Sequence, residues 1–181
     1  GFFASGAAAS GVAGAAGAPG GSLSFGAGAR PLGMGGAFAS IADDANANYW
    51  NPAGLMNLKN DEITSLYVSF PMAGSKYSYL SFVHIMDAKN RFGVSGINLY
   101  EGDFIKRDST GNASGDIGSG KKLLWLVSYS REILQNRIAL GANIKVANHI
   151  LDIYNSTGLG LDLAALYKPF RQVNVGINIQ N

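Results

Sequence analysis

The chain of 181 residues contains no cysteine, which excludes a disulfide scaffold, zinc–thiolate sites and thiol chemistry together. Histidine is almost absent too. His84 and His149 lie in separate segments, and neither has a second His, Asp or Glu at ligand spacing, so no metal is expected. Charge is scarce: Asp, Glu, Lys and Arg make up 14%, against roughly 25% in an ordinary soluble domain. Lys and Arg number 14 and Asp and Glu 12, for a net charge of +2. The cations form no stripe, so nucleic acid is not an expected partner. No run of about 18 purely apolar residues exists, which argues against a membrane-spanning helix. Catalytic signatures are missing as well. Ser128 and Ser130 have no His in triad context, and no Gly-x-Ser-x-Gly elbow occurs. Gly33-Met34-Gly35-Gly36 follows no strand and is no dinucleotide fingerprint. Neither an enzyme nor a cofactor is expected.

What the chain has in quantity is glycine, at 25 residues, and aromatic side chains, at 10%. The first charge is Arg30; the 29 residues before it are nearly all Gly, Ala and Ser with three Phe. Ala16-Gly17-Ala18 has the small-residue form of an export-signal cleavage site, but the basic start is missing. Residues 1–25 therefore read either as an export-signal remnant or as a mature small-residue segment packed on something else.

Beyond residue 60 the sequence alternates with a period of two. Ile138, Leu140, Ala142, Ile144 and Val146 alternate with Gly141, Asn143 and Lys145; Leu159, Leu161, Leu163 and Tyr167 alternate with Asp162 and Ala164. Val173, Val175, Ile177 and Ile179 alternate with Asn174, Gly176, Asn178 and Gln180. Successive side chains of a strand point to opposite faces, so each run has one apolar and one small or polar face. Less regular runs predict strands at 62–70, 76–85, 91–100 and 122–131. In the first, Thr64, Leu66, Val68 and Phe70 share a face. The fourth, around Leu123 to Val127, is apolar on both faces. About seven strands are thus expected across residues 61–181.

Alternating strands build either a soluble sandwich or a transmembrane antiparallel β-barrel. The second is the expectation. A soluble surface would carry Lys and Glu where this chain has Asn143, Asn174, Asn178 and Gln180, which read as lumen-facing together with Lys145 and Asp162. Lys145 and Asp162 share a polar face of neighbouring strands and are expected to pair, because one buried charge alone is costly. Runs of about nine to eleven residues match a tilted strand crossing. Connections at 86–90, 132–137 and 168–172 are short, whereas 101–121 and 147–158 read as long polar loops, with 71–75 a short exception. Asp103, Lys106, Arg107, Asp108 and Asp116 in the first long loop read as solvated. Tyr77, Tyr79, Tyr100, Trp125, Tyr129, Tyr154 and Tyr167 suggest interfacial belts. Seven strands cannot close a barrel, so the reading is half of a barrel of about fourteen strands, truncated or completed by another chain.

Residues 26–60 differ in kind. Ala29 to Leu58 reads ARPLGMGGAFASIADDANANYWNPAGLMNL. Asp43 and Asp44 can cap a following helix, Asn51 before Pro52 is held extended, and Gly54 permits a turn. The run Gly33 to Phe38, Asp43-Asp44-Ala45, then Tyr49-Trp50-Asn51-Pro52-Ala53-Gly54-Leu55 resembles the N-terminal signature of PorV/PorQ-like outer-membrane proteins, within the fatty-acid-channel superfamily typified by FadL. The resemblance covers about residues 26–181, and the family's later strands lie outside it. It implies an outer-membrane barrel of a diderm bacterium whose lumen is plugged by an N-terminal hatch holding Asp43, Asp44, Tyr49, Trp50, Asn51, Pro52 and Gly54. In PorV-like members the barrel serves type IX secretion and receives cargo proteins. In fatty-acid channels a hydrophobic ligand passes through a lateral opening. The expected function is therefore a non-enzymatic secretion component in contact with outer-membrane lipid and a translocon or cargo protein. A channel for hydrophobic small molecules, contacting Phe38, Trp50, Leu55 and Met56, and a structural assembly subunit are the alternatives.

Overall fold

A computed structural model describes residues 26–72, 74–107, 111–135, 137–170 and 172–180; residues 1–25 and Asp108 lie outside them. The described residues are all-β apart from three short helical turns. The strands are β1 (Glu62–Phe70), β2 (Ser75–Ile85), β3 (Asn90–Arg107), β4 (Ala113–Leu134), β5 (Ile138–Leu151), β6 (Tyr154–Phe170) and β7 (Val173–Ile179). They form one antiparallel sheet in sequential order, curled into half a barrel. No helix among the described residues is long and apolar enough to cross a membrane.

The period of two sorts the side chains as expected. Leu140, Ile144, Leu159, Leu161, Leu163, Ile177 and Ile179 stand exposed on the convex face, Leu159 at 80%. On the opposite, concave face Ser128, Ser130, Asn143, Asp162 and Asn178 are buried. The double apolar run of β4 divides between the two: Leu124 and Leu126 are buried, while Trp125 and Val127 are exposed. β1 inverts the trend, because Leu66 and Val68 pack into the concave core while Ile63 and Tyr67 are exposed. Two of the expected belt tyrosines are also interior. Tyr77 and Tyr79 are buried in the cluster with Ala27, Ile97 and Leu126, whereas Trp125, Tyr129, Tyr154 and Tyr167 are exposed.

The long polar loops do not exist as such. β3 and β4 remain paired through Gly102↔Gly120 and Ile105↔Ile117 to Arg107↔Ala113. β5 and β6 remain paired through His149↔Ser156 to Leu151↔Tyr154, around a turn at Asp152, whose φ is 56°. Gly, Ser and Asn are weak strand formers, but a ladder already in register carries them outward, and β-propensity yields to that context. Asymmetry between the two ends of the sheet survives as strand length, not loop length.

Residues 26–61 lie across the concave face. α1 (Ala29–Gly33) and α2 (Ala47–Trp50) are followed by a 3-10 helix over Pro52–Asn57. Ala37 to Ala42 is a series of turns closed by Ala42 N donating to Phe38 O at 2.8 Å. At two points the segment and the sheet meet backbone to backbone. A Cβ on Gly141 would lie 2.3 Å from Ala53 N, and one on Gly176 2.3 Å from Ala39 O. At the start of β1, Asp61 accepts from Ile85 N at 2.8 Å and contacts His84 Nδ1 at 2.7 Å, tying the segment's end to β2.

Gly141→Val is expected to destabilise the docked segment by roughly 1–3 kcal/mol through overpacking, read as faster amide exchange over residues 48–57. Gly33→Ala, with nothing within 4 Å, should leave that exchange unchanged. The Ile85 amide, then His84, hold the Asp61 carboxyl below its ordinary 3.8. A carboxylate with a lowered folded value stabilises above the unfolded value and ceases to as pH falls through the folded one. Asp61→Asn should therefore lower the urea midpoint at pH 6, and the difference should close as the pH falls below the ordinary carboxylate range and the Asp61 carboxyl takes up its proton.

Candidate functional site

The centre of the molecule is where α2 meets β5, β6 and β7. A helix of four residues can satisfy almost none of its own terminal carbonyls. Three side chains of the sheet do so instead. Asn143 Nδ2 donates to Asn48 O at 2.8 Å, Gln180 Nε2 to Tyr49 O at 3.0 Å, and Asn178 Nδ2 to Trp50 O at 2.8 Å. The lumen-facing expectation for Asn143, Asn178 and Gln180 thus lands on the concave face, with backbone as their partner. Asn174 shares that face and lines a cleft described below.

The segment answers in kind. Asn48 Nδ2 donates to Ser81 Oγ at 2.7 Å and Phe82 O at 3.1 Å, and Ser81 Oγ donates to Ala45 O at 2.7 Å. Trp50 Nε1 donates to Ala27 O at 2.7 Å, and Tyr77 Oη to Gly26 O at 2.7 Å. The Tyr49 ring meets Trp50 edge-on at 5.3 Å. Burial, with the Asp162 charge second, pushes the Tyr49 phenol up to about 12, so it stays neutral at physiological pH.

Asp162 is fully buried, and its Oδ1 lies 2.7 Å from Lys145 Nζ. Its other oxygen accepts from Asn143 Nδ2 at 3.1 Å. The expected pairing of Lys145 with Asp162 is therefore direct, and it shares Asn143 with the α2 carbonyl contact.

The remaining motif residues hold the segment to itself. Asp43 and Asp44 both pair with Arg30, at 2.5 and 2.9 Å. Neither aspartate caps α2, which has no side-chain cap; Asp44 Oδ1 accepts instead from Asn46 N at 2.9 Å, in the turn just before the helix. Asn51 is extended, with φ −163°; its Oδ1 accepts from Ala53 N at 3.1 Å and its Nδ2 donates to Ala39 O at 2.7 Å. Pro52 opens the 3-10 helix. Gly54 is required for close approach, not for a turn, since a Cβ there would lie 2.4 Å from Ala42 Cβ.

Phe38 and Leu55 are fully buried against Ala42, Ala45, Leu58 and Val83. Of the four residues expected to contact an apolar ligand, Phe38 and Leu55 are thus enclosed, while Trp50 and Met56 are only partly buried. The apolar groove lies elsewhere, on the convex face. It measures about 320 Å³ and runs over Gly96 between Leu80, Phe82 and Trp125.

Sequence reasoning misses one charged group. Lys122 is buried and pairs with Glu101, whose second carboxylate oxygen lies 3.6 Å from His149 Nε2. Lys122 and His149 are direct cross-strand partners. Glu101 reaches them through a register shift between Tyr100 and Gly102, and a bulge of this kind re-aims a side chain. No spacing along the chain announces it. No protein-family model, curated protein or solved structure matches the chain.

Lys145→Met strands a buried carboxylate and should cost about 3–5 kcal/mol of stability. Lys145→Met combined with Asp162→Leu should cost less than that single change, as read from urea midpoints.

Proposed function

We propose that this chain forms part of the wall and inner filling of an outer-membrane β-barrel of PorV type in a diderm bacterium, acting without catalysis in the export of protein cargo. One observation carries the reading: the sheet is apolar on the face that the described residues leave uncovered and polar on the face that the chain itself fills. Leu140, Ile144, Leu161, Leu163, Ile177 and Ile179 are each close to half exposed or more. Soluble monomers rarely leave contiguous apolar patches beyond a few hundred Å² uncovered; hydrocarbon covers such a face at no cost. β3 to β6 run to 14–22 residues, beyond the roughly 9–11 that a tilted crossing needs, so their outer portions extend past the bilayer. β1 and β7 each have a neighbour on one side only. In lipid both free edges require partner strands.

The PorV assignment within that class rests on the motif resemblance from Tyr49 to Leu55. Here these residues lie against the concave face, where a hatch would lie. The groove over Gly96 favours a second reading, a FadL-like channel, because its walls are apolar side chains on the face that would meet lipid.

The membrane claim and the export claim are tested separately. Trp125 is 56% exposed on the convex face; in vesicles of bromine-labelled lipid its fluorescence should be quenched, and Trp125→Phe should remove the quenching. Leu161→Arg should destabilise the inserted form by about 2–4 kcal/mol. An unquenched Trp125 places the apolar face against protein and ends the barrel reading. Deleting the gene in its host should stop release of cargo proteins into the medium. Normal cargo release with reduced uptake of long-chain hydrophobic compounds would select the channel instead.

A further inference from the structure

At the end of the sheet where β2–β3, β4–β5 and β6–β7 turn, a cleft opens between the N-terminal segment and the concave face. One part, of about 730 Å³, is lined by Ile41, Met56, Arg91, Glu132, Lys168 and Asn174, with Asp43 and Lys59 at its walls. A second part, of about 790 Å³, shares Lys168 and Asn174 and continues to Arg137 and Phe170. The walls hold four cations, Lys59, Arg91, Arg137 and Lys168, and two carboxylates. Of the carboxylates, Asp43 is already held by Arg30 at 2.5 Å.

Arg91 is 8% exposed. Its Nη1 donates to the backbone carbonyls of Asp87 and Asn90, and its Nε has no partner among the described residues. The nearby Asp87 carboxylate is engaged by Asn90 and by Lys89 N. Lys168 Nζ donates to Asn57 Oδ1 at 2.5 Å. None of Arg91, Arg137 and Lys168 forms an ion pair with a described residue. The Asn174 amide makes no hydrogen bond with described residues. Arg91 feels the Asp87 charge without pairing directly with it, and the four cations of the walls outnumber the two carboxylates, which makes the cleft electrostatically complementary to an anionic chain.

We propose that this cleft binds an extended acidic peptide segment of a protein partner. Its carboxylates meet Arg91, Lys168 and Arg137, Asn174 hydrogen-bonds its backbone, and Ile41, Met56 and Phe170 take the apolar side chains between. The recess decides the class of partner. Arg91 lies beneath the N-terminal segment, where the flat surface of a headgroup layer does not reach and a single extended strand does. The inference rests on the cleft alone and holds whatever covers the convex face.

The test uses the purified full chain and a fluorescein-labelled deca-glutamate peptide, followed by anisotropy, with deca-glutamine as the neutral control. Saturable binding of the acidic peptide alone is expected, weakening as salt rises. Lys168→Gln and Arg137→Glu should each weaken it by about tenfold, while Lys121→Glu, exposed in the half of β4 away from the cleft, should not. Because Arg91 is buried, Arg91→Lys serves in place of its removal and should weaken binding while the urea midpoint is kept. Absence of saturable binding overturns the proposal. So does equal weakening by Lys121→Glu, which marks a net-charge effect. Displacement by inorganic phosphate at the peptide's own concentration, or retention on phosphatidylglycerol vesicles through the same residues, overturns it as well.

Discussion

The structure depends on finding hydrogen-bond donors for the carbonyls of a segment too irregular to supply its own. Residues 26–61 contain helices of five, four and six residues. Elements that short leave most of their terminal carbonyls orphaned, and burying an unpaired carbonyl costs about 1–3 kcal/mol. The concave face meets this need with amides and hydroxyls at alternating strand positions, the positions that point inward. Asn143, Asn178 and Gln180 serve three consecutive carbonyls of α2, while Ser81 and Tyr77 serve Ala45 and Gly26. The polarity of that face is therefore answered by backbone. The same demand accounts for Gly141 and Gly176, since backbone can approach backbone only where no Cβ intervenes.

A consequence follows for where the hydrophobic bulk goes. The buried clusters are rich in alanine, with Ala27, Ala42, Ala45, Ala47, Ala53, Ala139, Ala147 and Ala164 among their members. Phe38, Leu55, Leu126 and the two interior tyrosines supply most of the remaining volume. The longer aliphatic chains of β5, β6 and β7, with the exception of the buried Leu166, are on the convex face instead. This is the reverse of a soluble sandwich, whose two sheets bury such chains against each other. The interior here is held by directional hydrogen bonds and close small-residue contact, and the large apolar area is left for whatever lies outside.

Much of this arrangement can be read along the chain, and the unread parts share physical causes. Strands β5 to β7 announce their faces because one face is mostly Leu, Ile and Val while the other is not, and a slip of one residue would exchange them. β1 misleads because its serines face outward and its leucine and valine inward, so the apolar face is not the exposed one. The strand extensions near Gly102 and Thr157 are hidden behind loop-like composition, and only pairing reveals them. Pairing of Lys145 with Asp162 is legible because both lie on adjacent ladders of one face. The group formed by Glu101, Lys122 and His149 is not, because a bulge decides where Glu101 points. Gly54 has an ordinary turn reading in sequence, and only the approach of Ala42 gives its actual role.

The two ends of the sheet are unlike, and this joins the cleft to the proposed location. At one end the connections are tight, and Asp87 folds the β2–β3 turn by accepting from Lys89 N and both amide groups of Asn90. At the other, the β3–β4 and β5–β6 ribbons run on past the ends of β1 and β2. Outer-membrane barrels keep short turns on the periplasmic side and longer excursions outside. Applied to the proposed barrel, that rule turns Arg91, Arg137 and Lys168 toward the periplasm and the long ribbons toward the exterior. An acidic segment meeting the cleft would then arrive from the side on which exported chains first appear. The convex face would meanwhile remain in lipid, so partner and membrane would not compete for one surface.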